Sequence, residues 1–168
     1  MSKFGAKWVF ELEEDFEFDL TPFGYEDTGG PYDYLDSKGQ CRLTIHVDGR
    51  AIIHKGYAWD GCTPKFQLFD ILLGIPDGVI HTQTKRPKCY YASLVHDVLY
   101  QFLGCDLPIN RADADHLFLF YLSRDHFILR SIYFWAVRLF GGIFLRCFTR
   151  WKRDYRNQRK EAVSFFVR

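Results

Sequence analysis

The hydrophobic period changes once along this chain, near residue 60, and that change sets the fold class. Before it, apolar side chains alternate with polar ones; beyond it, they recur at helical spacing. Strand-type patterning followed by helix-type patterning predicts an α+β fold. The expected architecture is a small N-terminal antiparallel β-sheet built on a hairpin, followed by a mainly α-helical part that contains an antiparallel helix pair. A length of 168 residues fits a single domain. Within it, residues 1–57 form a β-rich acidic part, 58–125 a helical motif region, and 126–168 an apolar and then basic helical part.

Lys7 to Asp19 reads as an acidic strand in which Trp8, Phe10, Leu12, Phe16 and Phe18 alternate with more polar neighbours. Thr21 to Gly39, rich in Gly, Pro, Asp and Tyr, reads as a loop. Cys41 to Val47 alternates through Leu43, Ile45 and Val47, and a second run covers Arg50 to Tyr57. Asp48-Gly49 between them predicts a hairpin with a type I′ turn, which needs positive φ at both central residues. Asp60 to Pro64 is a loop, Phe66 to Leu73 reads as a short helix, and Gly74 to Pro87 is irregular. Tyr90 to Phe102 predicts a helix with Ala92, Val95, Leu99 and Phe102 on one stripe. Asn110 is the expected N-cap of a second helix from Arg111 to Ser123. The short link from Gly104 to Ile109 makes the two helices antiparallel.

Phe127 to Phe148 is apolar enough to raise a membrane-spanning reading, but Arg130, Arg138 and Arg146 interrupt it. Eight residues apart, they drift around a helix at about 100° per residue and cannot share one face. Each Arg near the centre costs roughly 2.5–3.5 kcal/mol on insertion scales. The expectation is a buried helix, a turn at Gly141-Gly142, and a basic amphipathic helix.

The net charge of +1 conceals two opposed ends. Up to Asp36 the acids, from Glu11 through Asp36 itself, face only Lys3 and Lys7; from His126 to Lys160 the basic residues face only Asp154. Opposed ends suit head-to-tail contact between subunits, hence a homo-oligomer, or docking of one end on the other. The basic tail carries Trp151 and Tyr155, which suits an anionic membrane surface or nucleic acid, but both rank below a solvated helix face or a subunit contact to an acidic partner, and nucleic acid is not expected. An aromatic fraction of 18% exceeds the needs of a small core and predicts aromatic surface that meets a partner. Cys41, Cys62, Cys89, Cys105 and Cys147 are odd in number and widely spaced, which argues against a zinc site and a disulfide framework. No charged n-region and apolar h-region opens the sequence, so a reducing compartment without a secretion signal is expected.

The polar residues that interrupt this pattern gather in a few places. His96 and Asp97 stand side by side inside a hydrophobic helix, with Tyr100 one turn on and on the His96 face. The next helix carries Arg111, Asp113, Asp115 and His116. In an antiparallel pair Asp115 approaches His96, and a carboxylate on one imidazole nitrogen leaves the other as base or ligand. Asp60, in a Gly-containing loop, is a further candidate carboxylate. Two readings stand. In one the cluster is structural, with His96, Arg111 and Tyr100 satisfying the carboxylates. In the other it is a catalytic or metal site. His46 and His54 are expected at the surface or rim of the hairpin. Ser93, one helical turn from His96, invites a Ser-His-Asp reading, but no strand–turn–helix elbow surrounds it.

The run Gly56-Tyr57-Ala58-Trp59-Asp60-Gly61-Cys62-Thr63-Pro64 resembles the loop motif of an uncharacterised bacteriophage and prophage family, "domain of unknown function 1353". The run from Ala92 to Tyr100, the pattern Arg111-x-x-Ala114-Asp115-x-x-Phe118 and the stretch from Tyr133 to Gly141 extend the resemblance. It implies a phage or prophage setting, in the host cytoplasm or the virion, and no particular activity. At the level of the site, His96, Asp97 and Tyr100 are also spaced as in the His-Asp-x-Cys-Tyr helix of secreted phospholipases A2, with Leu99 in place of the Cys. That likeness implies His96 as general base, Asp115 as the carboxylate that orients it, and Asp97 as ligand to calcium or another divalent cation. No Gly-rich calcium loop precedes the helix, and Asp60 would stand in as the second ligand. Arg111 would stabilise an anionic intermediate. The two functions expected are a small hydrolase of ester, phosphoester or lipid substrates, and a virion or assembly protein in which the cluster is a structural network.

Overall fold

The computed structural model describes residues 10–23, 25, 31–59, 61, 67–68, 71–72, 80–82, 84–105 and 107–142. The chain is α+β, as the change of period requires. Strands β1 (Phe10–Glu11), β2 (Phe16–Asp19), β3 (Tyr32–Leu35), β4 (Cys41–Ile45), β5 (Arg50–Ile53), β6 (Ala58–Trp59), β7 (Gln67–Leu68) and β8 (Ile71–Leu72) precede helices α1 (Tyr90–Phe102) and α2 (Arg111–Arg124). A third helical stretch, α3, covers 130–142. The main sheet is antiparallel in the order β2-β5-β4-β3, with β1 paired to β6 and β7 to β8.

The expected Lys7–Asp19 strand is two strands. The chain leaves β1 for β6 and re-enters beside β5, turning where Gly56 donates to the Leu12 carbonyl and Leu12 to the Tyr57 carbonyl. The expected Thr21–Gly39 loop hides an edge strand, β3, because Tyr32-Asp33-Tyr34 alternates inside a stretch dominated by turn residues. The hairpin joins β4 to β5, but its turn is not type I′. Gly49 alone has positive φ (+84), and the loop closes through Gly49 N–H to His46 O and His46 N–H to Arg50 O. Those bonds define a three-residue loop ending on a left-handed glycine, which gives Asp48 an ordinary conformation. The short helix expected over Phe66–Leu73 is instead the β7–β8 pair, since a short apolar run has no period that separates helix from strand.

Phe18, Tyr34, Leu43, Ile45, Ala51 and Ile53 are buried on the sheet, and α1 buries most of its length against them and α2. Aromatic pairs knit the layers. Phe10 and Trp59 both meet Tyr90, at 5.4 and 4.9 Å between ring centroids, and Tyr34 meets Phe102 at 5.5 Å. Helix α2 starts on a capping box. Asn110 Oδ1 accepts from the backbone of Ala112 and Asp113, and Asp113 accepts from the backbone of Asn110. The side-chain pairs show that α1 and α2 are antiparallel: Tyr91 lies near Arg124, His96 near Asp115, and Tyr100 near Arg111.

Helix α3 runs back along α2, with Phe134 stacked on His116 at 5.6 Å. Gly141 and Gly142 are helical rather than a turn. A Cβ at Gly141 would stand 2.7 Å from the Tyr100 hydroxyl and 3.1 Å from Arg111 Nη2, so a close approach of helices explains a glycine there. The helix is also less buried than its composition suggests, with Tyr133 turned inward and Ile132, Trp135 and Leu139 outward. The basic segment beyond it lies outside the described residues. Among the described residues, no helix is long and apolar enough to cross a membrane, and Cys41, Cys89 and Cys105 are not joined to one another by a disulfide.

Candidate functional site

The antiparallel pairing brings the predicted residues of α1 and α2 into one cluster. Asp115 is fully buried, and three helices supply its partners. Its Oδ1 lies 3.3 Å from His96 Nε2 and accepts the Tyr100 hydroxyl proton at 2.5 Å. Its Oδ2 accepts from Arg138 Nη1 at 3.0 Å, with Arg111 Nε 3.8 Å away. Tyr100 reaches this carboxylate because it lies four residues after His96, one turn along the same face.

His96 is buried and has two carboxylates near its ring. Nδ1 is 3.8 Å from Asp97 Oδ1, beyond a direct hydrogen bond, and the Asp97 side chain is 38% exposed. One edge of the imidazole therefore faces a sealed carboxylate and the other a partly solvated one. Tyr100 and Phe118 hold the ring, at 4.0 and 4.9 Å between centroids. Burial alone would lower the His96 pKa, but the hydrogen bond to Asp115 and the nearby Asp97 carry it above the ordinary histidine value. Burial likewise works to raise the Asp115 pKa, and its bonds with His96, Tyr100 and Arg138 overcome this and hold it below the usual carboxylate value. Burial and the bond to Asp115 push the Tyr100 phenol well up, so it stays protonated as a donor.

Arg111 belongs to the cluster, with its guanidinium bonded to protein acceptors. Its Nε donates to the Tyr100 oxygen at 3.0 Å, and its Nη2 to the carbonyls of Val137 and Arg138 at 2.9 and 2.6 Å. The guanidinium ties α3 to α1 and α2 and is not turned toward the Nδ1 edge of His96. Sequence reasoning missed Arg138. The available signal was a cation inside an apolar run, which calls for a buried partner.

Asp60 lies outside the described residues. The Ser93 hydroxyl donates to the Tyr90 carbonyl and accepts from Trp59 Nε1 at 3.1 Å, satisfying a buried indole. His54, on the sheet, bonds Thr44 and faces Asp15, as expected for a rim residue. Among the described residues, no three His, Cys, Asp or Glu side chains converge as a cation site. The oxygens of Asp115 are taken by protein donors, and among the described residues Asp97 brings a carboxylate to the Nδ1 edge of His96. A surface depression lined by Glu17, Asp19, Thr21, Asp48 and Arg50 lies on the sheet and includes none of these groups.

Chemically, the cluster can orient an imidazole through Nε2 and present Nδ1 toward Asp97. It can equally lock three helices together through a saturated buried carboxylate. Comparison of the chain with family models, curated proteins and solved structures finds no match.

Proposed function

We propose that this chain is a phage or prophage hydrolase of ester or phosphoester bonds, with His96 as general base and Asp115 as the residue that positions it. The observation that carries this reading is the division of the imidazole between two carboxylates, a buried one at 3.3 Å from Nε2 and a partly solvated one at 3.8 Å from Nδ1. With Nε2 as donor to Asp115, neutral His96 keeps its lone pair on Nδ1. A water bound at Nδ1, beside Asp97, can lose its proton to that nitrogen as its oxygen attacks the carbonyl carbon or phosphorus; the bond to the leaving oxygen breaks and the protonated ring returns the proton to it. The phage setting rests on the sequence motifs.

General-base catalysis contributes typically ~10²–10⁴ in rate, so His96→Ala should lose turnover by that factor on the substrate the wild type accepts. The assay uses a panel of carboxylic esters, phosphodiesters and phospholipids, with calcium and with chelator. Wild-type rate should rise with pH through a value above the ordinary 6.5 of histidine, because only the neutral ring accepts a proton. A wild type inactive on the whole panel, or a folded His96→Ala variant of unchanged rate, overturns the reading.

The saturation of Asp115 by His96, Tyr100 and Arg138 favours a second reading, a virion or assembly protein whose cluster is a structural network. Its partners would be copies of itself or other virion proteins. Paired melts of wild type and Asp97→Asn, with calcium and with chelator, separate the two. If Asp97 holds a divalent cation, wild type melts higher in calcium and the variant does not, by roughly 2.7 kcal/mol at a hundredfold excess over Kd.

A further inference from the structure

We propose that the outward face of α3 docks the chain onto an anionic lipid surface. Ile128, at the turn into the helix, and Ile132, Trp135 and Leu139 are 88, 61, 61 and 67% exposed. Their spacing of four, three and four residues puts them on one stripe. The opposite side of the helix is used by the fold: Tyr133 is buried, and Gly141 lies under Tyr100 and Arg111. The helix is therefore apolar on both sides but packed on one. A contiguous row of large exposed apolar side chains marks an interaction surface.

Charge selects the occupant. Residues 143–168 carry eight basic side chains, from Arg146 to Arg168, against Asp154 and Glu161, a net charge of +6. An anionic bilayer surface neutralises them and accepts the apolar stripe, with Trp135 suited to the headgroup level. No described helix is long and apolar enough to cross a membrane, which fits a helix lying on the surface. This docking does not depend on the chemistry assigned to His96.

The test is co-sedimentation of the full chain with vesicles of phosphatidylglycerol or of phosphatidylcholine. Wild type should sediment with phosphatidylglycerol, release as salt rises, and leave phosphatidylcholine vesicles largely unbound. The double variant Ile132→Glu/Leu139→Glu should partition at least about tenfold more weakly. Both positions are exposed, so its thermal melt in the absence of lipid should match wild type; Trp135→Ala gives a second, uncharged variant with a loss in the same direction. A wild type that ignores both vesicles overturns the proposal. So do variants that bind as tightly as wild type, which would assign binding to the basic segment alone. Loss of a wild-type dimer in the variants, without vesicle binding by either, would overturn it in favour of a second copy.

Discussion

On the sheet, His54 stands with Nδ1 3.5 Å from Asp15 and Nε2 2.8 Å from Thr44, and the His54 and Asp15 side chains are 30 and 57% exposed. Between the helices, His96 stands 3.3 Å from Asp115, and those side chains are 10 and 0% exposed. The residue types are the same and the distances similar. What differs is what replaces a lost bond. Water reaches the sheet pair and can satisfy either partner. At Asp115 the neighbours are three helices, so removing one group strands several others. The comparison places this fold's sensitivity to polar substitution in the helical part.

Asp115→Asn should have the largest effect. It removes the charge that Arg138 and His96 face and leaves too few acceptors for Tyr100, His96 and Arg138. Breaking a fully buried pair costs about 3–5 kcal/mol; the Arg138 side chain is 36% exposed and water recovers part of this, so urea unfolding should report a lower midpoint with a loss above about 1 kcal/mol and below that range. A loss below about 1 kcal/mol would erase the distinction between the two pairs. Gly141→Ala comes next. The added Cβ meets a hydroxyl 2.7 Å away that is itself held by Asp115 and Arg111, so it cannot swing aside freely. Overpacking of this kind costs typically ~1–3 kcal/mol, readable as a lower melting temperature.

The pH dependence sharpens the same contrast. The folded pKa of His96 is raised above 6.5, so its contribution is complete below that value and is lost as pH rises through the folded value. The folded pKa of Asp115 is lowered below 3.8, so its contribution is complete above that value and is lost as pH falls through the folded value. Both are present between 3.8 and 6.5. Urea midpoints measured across pH should therefore fall on the alkaline side for wild type, and His96→Gln should lack that component. An unchanged alkaline limb in the variant would show that other groups produce it.

Much of this was legible in the residues because it depends on local chemistry. The period of Tyr90–Phe102 and the Asn110 cap located the helices, and their short link fixed the direction that brings Asp115 to His96. What was not legible depends on distant partners. Arg138 and Arg146 look alike in the sequence; only the packing of α3 on α2 gives Arg138 a carboxylate. Gly141 reads as a helix breaker until Tyr100 is seen against it. The β7–β8 pair is not legible because strands of two residues each, Gln67-Leu68 and Ile71-Leu72, are too short to carry a period. Asp60 depends on a loop outside the described residues.

The smallest effect expected is that of Asp15→Asn. Asp15 accepts from the Lys55 backbone at 2.8 Å, and that bond, opposed by burial and helped by His54, holds its pKa below the ordinary value. The amide oxygen of Asn can still accept from Lys55. Only the charge facing His54 is lost, at a site where 57% of the Asp side chain meets solvent. Exposed pairs of this kind are worth about 0–1 kcal/mol, and salt screens them further. The urea midpoint should therefore drop slightly in low salt and hardly at all in high salt. Asp115→Asn, sealed from ions, should keep its deficit in both. A salt-independent loss at Asp15 as large as that at Asp115 would mean that solvent does not rescue the sheet pair. The difference between the two histidine sites would then have to come from something other than burial.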